Sequence, residues 1–204
     1  MISQQVTDEE ITFYENLFCK SPWNIKSQWI QDSLASIKQK ATIASRDDLT
    51  KHLYSLFLES DISVYGNGGF PQNCKDIERG VLQDPVFVQI ESSRDMSLSL
   101  QEEANNKQKF LQNKIPYSSK RTLSIRVTDG VQMCTCMELE TVPSLSLFPT
   151  PGSKLIILTA SIRRGILLLN RESIVYLGGF CQRCKDEQSI TDSLITSKLG
   201  LLLH

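Results

Sequence analysis

The sequence lacks an apolar run of membrane-spanning length, and its first ten residues carry acidic rather than basic side chains. A membrane helix needs about 20 consecutive apolar residues, and a secretory leader opens with Lys or Arg. The chain is therefore expected to be soluble and not secreted. Its formal net charge of -1 excludes a generally basic nucleic-acid binder, although a local basic patch stays open.

Histidine is scarce, with two residues among 204, and their positions give no catalytic pattern. His52 falls within a helical pattern and His204 is the last residue. Nucleophilic catalysis needs a Ser or Cys with a base beside it, and the sequence suggests no such arrangement. The sequence therefore predicts a protein that is not an enzyme.

Cysteine is sparse as well, with six residues whose spacing does not complete a metal site. Cys181 and Cys184 form one C-x-x-C pair. Cys134 and Cys136 are two positions apart in a predicted strand, so their side chains share one face. A structural zinc ion needs four ligands, and the two pairs meet only if the tail folds back. Free thiols are therefore expected, with no metal and no cofactor.

The first 62 residues show helical patterns and predict a small three-helix bundle. A capping box begins at Thr7, Ser21-Pro22 has the form of a helix start, and Ser45 precedes a third amphipathic run. Residues 63–85 contain Asn67-Gly68-Gly69 and Pro71 and are expected to form a connecting loop. A phosphate-binding loop is disfavoured there because no strand precedes the glycines and no lysine-bearing helix follows them.

From residue 86 the pattern alternates with period two, which predicts strands. Asp129-Gly130 is typical of a tight hairpin turn. Five strands predict an α+β protein in which a five-stranded Greek-key barrel of the oligonucleotide/oligosaccharide-binding type (OB-fold) covers residues 86–180. Residues 181–204 are expected to form a tail or a helix. The strand segments are VFVQIE (86–91), TLSIRVT (122–128), VQMCTCMEL (131–139), KLIILTA (154–160) and GILLLN (165–170).

Two of these strands are apolar on both faces. They are Leu155–Leu158 and GILLLN at 165–170. A barrel strand needs only an apolar inner face, so something must also cover the outside. The N-terminal helices, the C-terminal segment and another protein are all open as that cover.

A long insertion, about residues 92–121, separates the first two predicted strands. Loops of this length are usually functional or disordered, and a solvated loop does not need apolar side chains. These side chains either pack locally or bind a partner that orders the loop. The candidate partner-binding residues are Phe110, Leu111, Lys114, Ile115, Pro116, Tyr117 and Lys120.

Several motifs, in order and spacing, resemble the RecQ-mediated genome instability protein 1 family over about residues 20–180. The helical half also looks similar, through Trp29-Ile30-Gln31 and LYSLFLESDI. The sequence departs from the family at Gly179-Phe180-Cys181, where the family usually continues Gly-Gly-Glu-Val. The barrel motifs are Thr128-Asp129-Gly130, Met137-Glu138, Pro151-Gly152-Ser153-Lys154, Gly165–Leu169 and Leu177-Gly178-Gly179.

This resemblance implies a non-catalytic adapter subunit in the nucleus, acting in DNA repair, recombination and replication. Its implied partners are topoisomerase III, a RecQ (Bloom-type) helicase and a second small OB-fold subunit, with weak or indirect DNA contact. The complex dissolves double Holliday junctions and decatenates DNA. The insertion is implied to enter the topoisomerase gate, and Lys154 matches a family position on the topoisomerase-facing surface.

Two alternatives remain open. The N-terminal region of Tudor domain-containing protein 3, an adapter of topoisomerase III beta, has a similar layout with a shorter insertion. A single-stranded DNA-binding module is the other alternative, since OB-folds stack bases on exposed aromatic side chains. The predicted strands offer only Phe87 and Tyr176 for such stacking.

Overall fold

A computed structural model describes residues 6–40, 45–111, 121–146, 148–187, 189–190 and 193. Helices precede a sheet, so the predicted α+β class is confirmed. The helices are α1 (Asp8–Phe18), α2 (Ser27–Lys40), α3 (Arg46–Glu59), α4 (Ile62–Tyr65), a 3-10 helix (Cys74–Asp76) and α5 (Leu100–Leu111). The strands are β1 (Arg79–Leu82), β2 (Val86–Asp95), β3 (Leu123–Thr128), β4 (Met133–Glu138), β5 (Lys154–Ile157), β6 (Ala160–Arg163), β7 (Ile166–Leu169) and β8 (Ile174–Gly178).

We call α1–α4 together the helical layer. Two of its helices begin at the capping residues that the sequence predicts. Thr7 and Glu10 form the reciprocal capping box of α1, and the Ser45 hydroxyl accepts a hydrogen bond from the backbone N–H of Asp48 at the start of α3. The helix start expected at Ser21-Pro22 is wrong, because α2 begins at Ser27. The segment between them is instead tied to α4, since the N–H of Lys26 donates to the carbonyl of Tyr65 at 2.8 Å.

The eight strands form one sheet in the order β1-β6-β7-β4-β3-β2-β5-β8, curled around a single apolar core. Strands β4 and β7 pair in parallel, and the other neighbours pair antiparallel. The core includes Leu82 and Ile162 from one end of this order and Leu155 and Ile174 from the other. Such a core requires the sheet to wrap round, as in a barrel.

Three strands fall outside the five that periodicity predicts. Strand β1 and the 3-10 helix lie within 63–85, so the expected connecting loop is wrong in that part. Strand β1 is only four residues long and pairs with the equally short β6, which leaves too little alternation for a pattern to be recognised. The other two additions are β6 and β8, and β2 continues past the expected insertion start as far as Asp95.

A hairpin forms where Asp129-Gly130 predicts one, but the turn pair is shifted by one residue. The N–H of Asp129 donates to the carbonyl of Gln132 at 3.3 Å, so Gly130 and Val131 are the two central residues, and Gly130 has φ of +91°. In β4, which follows, Cys134 and Cys136 face the barrel core. Met133, Thr135 and Met137 consequently lie on the outer face.

The helical layer covers the outer face of β2 and β5. Phe87 and Ile156 are register partners in these strands, and both belong to the core of the helical layer rather than to the barrel core. The Phe87 ring lies 5.3 Å from Trp23 and 5.8 Å from Phe57, measured between ring centroids. Of the three covers open for β5, the N-terminal helices are therefore observed over Ile156, and the C-terminal segment contributes at Lys154, whose Nζ donates to the carbonyl of Phe180.

Among the described residues, no helix combines the length and the apolar character that crossing a membrane requires.

Candidate functional site: the insertion base and the interdomain cluster

The insertion leaves the sheet at the end of β2 and returns at the start of β3. Asp95 and Leu123 are register partners, and the N–H of Met96 donates to the carbonyl of Thr122 at 2.8 Å. The two ends of the insertion therefore lie side by side, and the residues between them project from a paired base.

Asp95 fixes the outgoing end of the insertion. Its side chain is buried, and its Oδ1 accepts hydrogen bonds from Ser97 Oγ at 2.7 Å, Ser97 N at 3.0 Å and Thr122 N at 3.2 Å. Its own backbone N–H donates to Glu103 Oε1 at 3.0 Å, which ties α5 to the base. The Asp95 carboxylate thus connects the two ends of the base, and the Asp95 backbone N–H connects the base with the inserted helix.

A buried ion pair fixes the returning end. Arg121 Nη2 donates to Glu138 Oε1 at 3.0 Å and to the carbonyls of Val142 and Leu145. The Arg121 and Glu138 side chains are 9% and 1% exposed. Glu138 Oε2 also accepts from the N–H of Leu123 at 3.0 Å. Removing one partner of such a pair costs about 3–5 kcal/mol, so this end of the insertion is rigidly held.

Part of the insertion is helical, which the sequence interpretation did not anticipate. Ser99 and Glu102 form a second capping box at the start of α5, with Glu102 Oε2 accepting from Ser99 N at 2.9 Å and Ser99 Oγ accepting from Glu102 N at 3.3 Å. The hydrogen bonds from Ser99 lower the pKa of Glu102. The S-x-x-E spacing was the available signal for this helix.

The predicted partner-binding residues of the insertion are only partly described. Phe110 and Leu111 lie in the last turn of α5, and the structure describes their backbone only. Lys114, Ile115, Pro116, Tyr117 and Lys120 lie outside the described residues. Their role in partner binding stays a prediction.

Lys154 is not on an exposed surface, so the expectation for this residue is wrong. Its side chain is fully buried, and Nζ donates to the carbonyls of Gly152 at 2.7 Å and Phe180 at 3.2 Å. Burial lowers the pKa of Lys154 to about 8, while nearby Cys181, Cys184, Asp61 and Glu91 oppose that shift. The reason is its register: Lys154 opposes Gln89 on the face of β5 and β2 that the helical layer and the C-terminal helix (182–187) cover.

Gln89 connects the barrel with the helical layer. It is fully buried on the outer face of β2, and its Oε1 accepts from the N–H of Ile62 at 3.0 Å. Its Nε2 donates to Glu91 Oε1 at 2.8 Å, to Asp61 Oδ1 at 3.2 Å and to Cys184 Sγ at 3.4 Å. A polar residue among the apolar residues of 86–90 was the sequence signal for this contact.

Arg183 joins the C-terminal helix to both halves of the molecule. Its guanidinium pairs with Asp61 of the helical layer and, at 3.0 Å, with Glu91 of β2. The hydrogen bond from Arg183 holds the pKa of Asp61 well below its ordinary value, against the opposing effect of burial. We call Asp61, Gln89, Glu91, Lys154, Cys181, Arg183 and Cys184 the interdomain cluster.

Asp129 holds the glycine-rich segment that was considered as a phosphate loop. Its Oδ2 accepts hydrogen bonds from Gly69 N at 2.8 Å and Phe70 N at 2.9 Å, and its Oδ1 accepts from Val131 N and Gln132 N. The free N–H groups of the glycine segment therefore bind an internal carboxylate. This contact explains the acidic residue of the Thr128-Asp129-Gly130 motif.

The described residues include His52 and all six cysteines, the side chains considered above for catalysis and metal binding. No group of three or more His, Cys, Asp or Glu side chains there is arranged to hold a metal ion. His52 Nδ1 lies 2.8 Å from the carbonyl of Asp48 on its own helix, and the six cysteines are free thiols. Phe87 is buried, so one of the two aromatic side chains considered for base stacking is inaccessible.

Comparison with known proteins decides the family. The model of the family described as "RMI1, N-terminal OB-fold domain" matches residues 70–191, more than half of the chain. The chain belongs to this family. The resemblance drawn from the motifs and the predicted OB-fold are both confirmed.

Individual relatives agree with this assignment. RecQ-mediated genome instability protein 1 of Oryza sativa subsp. japonica is 24% identical over 155 residues, which are 76% of this chain and 18% of that protein. The Danio rerio protein of the same name is 29% identical over 200 residues, 89% of this chain and 38% of that protein. Tudor domain-containing protein 3 of Danio rerio is 25% identical over 161 residues, 78% and 20% respectively. The chain thus spans well under half the length of these relatives.

Proposed function

We propose that this chain is a non-catalytic adapter that binds topoisomerase III and stimulates its reaction within a complex containing a RecQ helicase. Membership of the family and the names of its relatives support the RecQ connection. In this proposal the complex works in the nucleus, in DNA repair, recombination and replication. It decatenates DNA and dissolves double Holliday junctions, and a second small OB-fold subunit joins it.

The observation that supports an adapter most directly is the construction of the insertion base. Asp95 and the Arg121–Glu138 pair hold both ends of a segment of about 25 residues with buried charges. A loop that only connected β2 and β3 would not need such anchorage, since these neighbouring strands can be joined by a short turn. Rigid anchorage reduces the entropy lost when a partner orders the loop, and so favours binding.

The test is to shorten the insertion while keeping the side chains of Asp95, Arg121 and Glu138. Residues 98–119 are removed and Ser97 is joined to Lys120 through Asn-Gly, because the Met96–Thr122 hydrogen bond already holds the ends together. This change also removes Glu103 and its contact with the N–H of Asp95, so we expect a small loss of thermal stability, unchanged co-elution with topoisomerase III and loss of the stimulation of decatenation. A shortened chain that stimulates as well as the intact one would contradict the effector role of the insertion.

A variant with three substitutions separates the chemistry of the insertion from its length. Replacing Ile115, Pro116 and Tyr117 together by Ala keeps the insertion at full length and removes its apolar group. We expect stimulation to fall as it does in the shortened chain. The matched control replaces Lys51 by Ala, an exposed residue on α3 far from the insertion in sequence, and is expected to stimulate normally.

A second candidate is an adapter of topoisomerase III beta, which the similarity to Tudor domain-containing protein 3 favours. Co-elution at physiological salt with topoisomerase III alpha and with topoisomerase III beta, each supplied in the same amount, distinguishes the two proposals. Preferential co-elution with the beta enzyme would favour the second candidate. Failure to bind either enzyme, with a shift of the chain by single-stranded DNA alone, would favour a DNA-binding module instead.

A further inference from the structure

Five neighbouring strands, in the order β3-β4-β7-β6-β1, have an outer face that belongs to neither apolar core. Alternate side chains of these strands enter the barrel core, and the side chains between them point outwards. The structure describes all five strands, and no outward position in them holds Asp or Glu. We call this surface the arginine face, after Arg79, Arg126 and Arg163, which are all exposed.

The arginines of the chain divide into two groups by their partners. The structure describes all nine; four of them pair with carboxylates, and Arg46 lies over the Phe13 ring, 5.0 Å from its centroid. The remaining four have neither kind of partner among the described residues, and all lie on the arginine face or in the β6–β7 turn at its border. They are Arg79, Arg126, Arg163 and Arg164.

Backbone register places three of these arginines in one row across the sheet. Arg126 of β3 opposes Thr135 of β4, which opposes Ile166 of β7. Ile166 opposes Arg163 of β6, and Arg163 opposes Arg79 of β1. The row thus has positive charge at both ends and a hydroxyl and an apolar side chain in the middle.

A second row, two residues further along the strands, is mainly apolar. Met137 opposes Leu168, and both are half-buried. Leu168 opposes Ser161, which opposes Val81, a side chain that is 56% exposed. Arg and Met are enriched in protein–protein interfaces. The outward positions of these five strands hold no aromatic side chain, which base stacking would require. The composition therefore favours a protein partner over single-stranded nucleic acid.

Two features of the arginine face are unfavourable for the fold itself. Arg79 and Arg163 are direct register partners, and like charges in such positions destabilise a sheet. Arg164 occupies the first position of the β6–β7 turn with φ of +48°, a conformation that Gly or Asn adopts more readily. A surface that served only the fold would gain stability from other residues at these positions, so their role points to a ligand.

We propose that the arginine face binds an acidic protein segment that also carries apolar side chains. The carboxylates of the segment pair with Arg79, Arg126 and Arg163, because guanidinium groups bind carboxylates in a bidentate geometry. Its apolar side chains pack against Met137 and Leu168 and remove them from water. The insertion is not part of this surface, so the proposal goes beyond stimulation of topoisomerase III and does not depend on it.

Two labelled peptides of equal length and charge test the chemistry of the segment. One alternates Glu with Leu and the other alternates Glu with Ser, and oligothymidylate is the nucleic-acid probe. By fluorescence anisotropy with the full chain, we expect the Glu-Leu peptide to bind at least ~10-fold more tightly than the Glu-Ser peptide, with an affinity that falls as salt rises. Tighter binding of oligothymidylate than of either peptide, or no binding of the Glu-Leu peptide up to ~1 mM, would overturn the proposal.

Arg79→Glu separates binding from folding. The substitution places a carboxylate opposite Arg163, so the midpoint of urea denaturation should stay the same or rise. The affinity for the Glu-Leu peptide should fall ~10-fold, because the face loses one positive charge and gains a negative one. Arg171→Glu is the matched control, since it makes the same charge change in the β7–β8 turn, at an exposed arginine 3.8 Å from Glu140. Equal affinities of the two variants would overturn the proposal.

The chain with the shortened insertion keeps this proposal distinct from topoisomerase binding. It retains the arginine face, so it should bind the Glu-Leu peptide as tightly as the intact chain does. Arg126→Glu should weaken peptide binding in both chains, because Arg126 lies at the other end of the row. Loss of peptide binding in the shortened chain alone would place the segment on the insertion and overturn the assignment to the arginine face.

Discussion

Strands β5 and β7 are both apolar on their two faces, yet their outer faces have different surroundings. On β5, Ile156 packs with Phe87 into the core of the helical layer. On β7, the outer-face residues Ile166 and Leu168 are only half-buried, beside the half-buried Met137 of β4. The same sequence pattern therefore marks a completed internal interface in one strand and a partly open surface in the other.

The difference shows that the cover of a strand is decided by its place in the sheet order. Strands β2 and β5 are neighbours, so Phe87 and Ile156 form one continuous surface for the helices. Strand β7 lies between β4 and β6, where the outer-face neighbours include Thr135 and Ser161. A face of this mixed composition stays exposed at lower cost than a wholly apolar one.

The largest expected effect comes from Phe87→Ala. Phe87 is 2% exposed and contacts aromatic side chains of the helical layer, so the substitution leaves a cavity at the interface. We expect a loss of about 3–5 kcal/mol in the free energy of unfolding, measured by urea denaturation. A loss below ~1 kcal/mol would mean that the helices do not cover this face in solution.

Gln89→Leu tests the polar part of the same face. The substitution leaves the N–H of Ile62 without its acceptor and removes the amide contacts to Asp61, Glu91 and Cys184. We expect a loss of about 1–3 kcal/mol. Thr135→Val on the outer face of β4 is the matched control and should change stability by no more than ~0.5 kcal/mol. Equal effects of the two substitutions would remove the contrast between the faces.

Lys154→Met tests the burial of Lys154 through the pH dependence of the free energy of unfolding. The pKa of Lys154 falls from its ordinary value of 10.5 to about 8 in the folded chain. Between these values the unfolded chain holds more protons, so the stability of the unsubstituted chain relative to Lys154→Met should rise with pH, by up to about 1.4 kcal/mol per unit.

The contradicting result for Lys154 is a stability difference that stays constant from pH 7 to pH 10.5. That result would place the ammonium group in water, on an accessible surface. It would restore the expectation that Lys154 contacts a partner directly.

The smallest expected effect comes from Leu168→Ser on the open face of β7. Leu168 is half-buried, and its outer-face neighbours are not covered by the helical layer. We expect a stability change within ~1 kcal/mol of zero by urea denaturation. A loss as large as that of Phe87→Ala would show that this face is also covered in solution.

Much of the local structure followed from short-range chemistry. Thr7 and Glu10 marked the start of α1, and Asp129-Gly130 marked the hairpin, because capping and tight turns involve residues only a few positions apart. Several short motifs in order, Met137-Glu138 among them, led to the family, which the comparison confirmed. The S-x-x-E start of α5 was equally local, but it was hidden within a polar insertion.

The contacts made by the charged residues of the candidate site are with residues distant in the sequence. Glu138 became the anchor of the insertion because β3 and β4 pair, and this pairing places it against Arg121 and the N–H of Leu123. No spacing rule connects these residues. Lys154 was misplaced for the same reason, since its motif gives no indication that the carbonyls of Gly152 and Phe180 enclose it.

The sequence by itself determined the α+β class, the family, the capped helices and the alternation of the main strands, because these rest on local hydrogen bonds and side-chain periodicity. Only the tertiary structure decided which strand faces are covered, which charges are buried and which cysteines meet. Those properties depend on contacts between residues such as Asp61, Glu91 and Arg183, separated by up to 122 positions along the chain. Burial and charge pairing arise only when the folded chain brings such residues together.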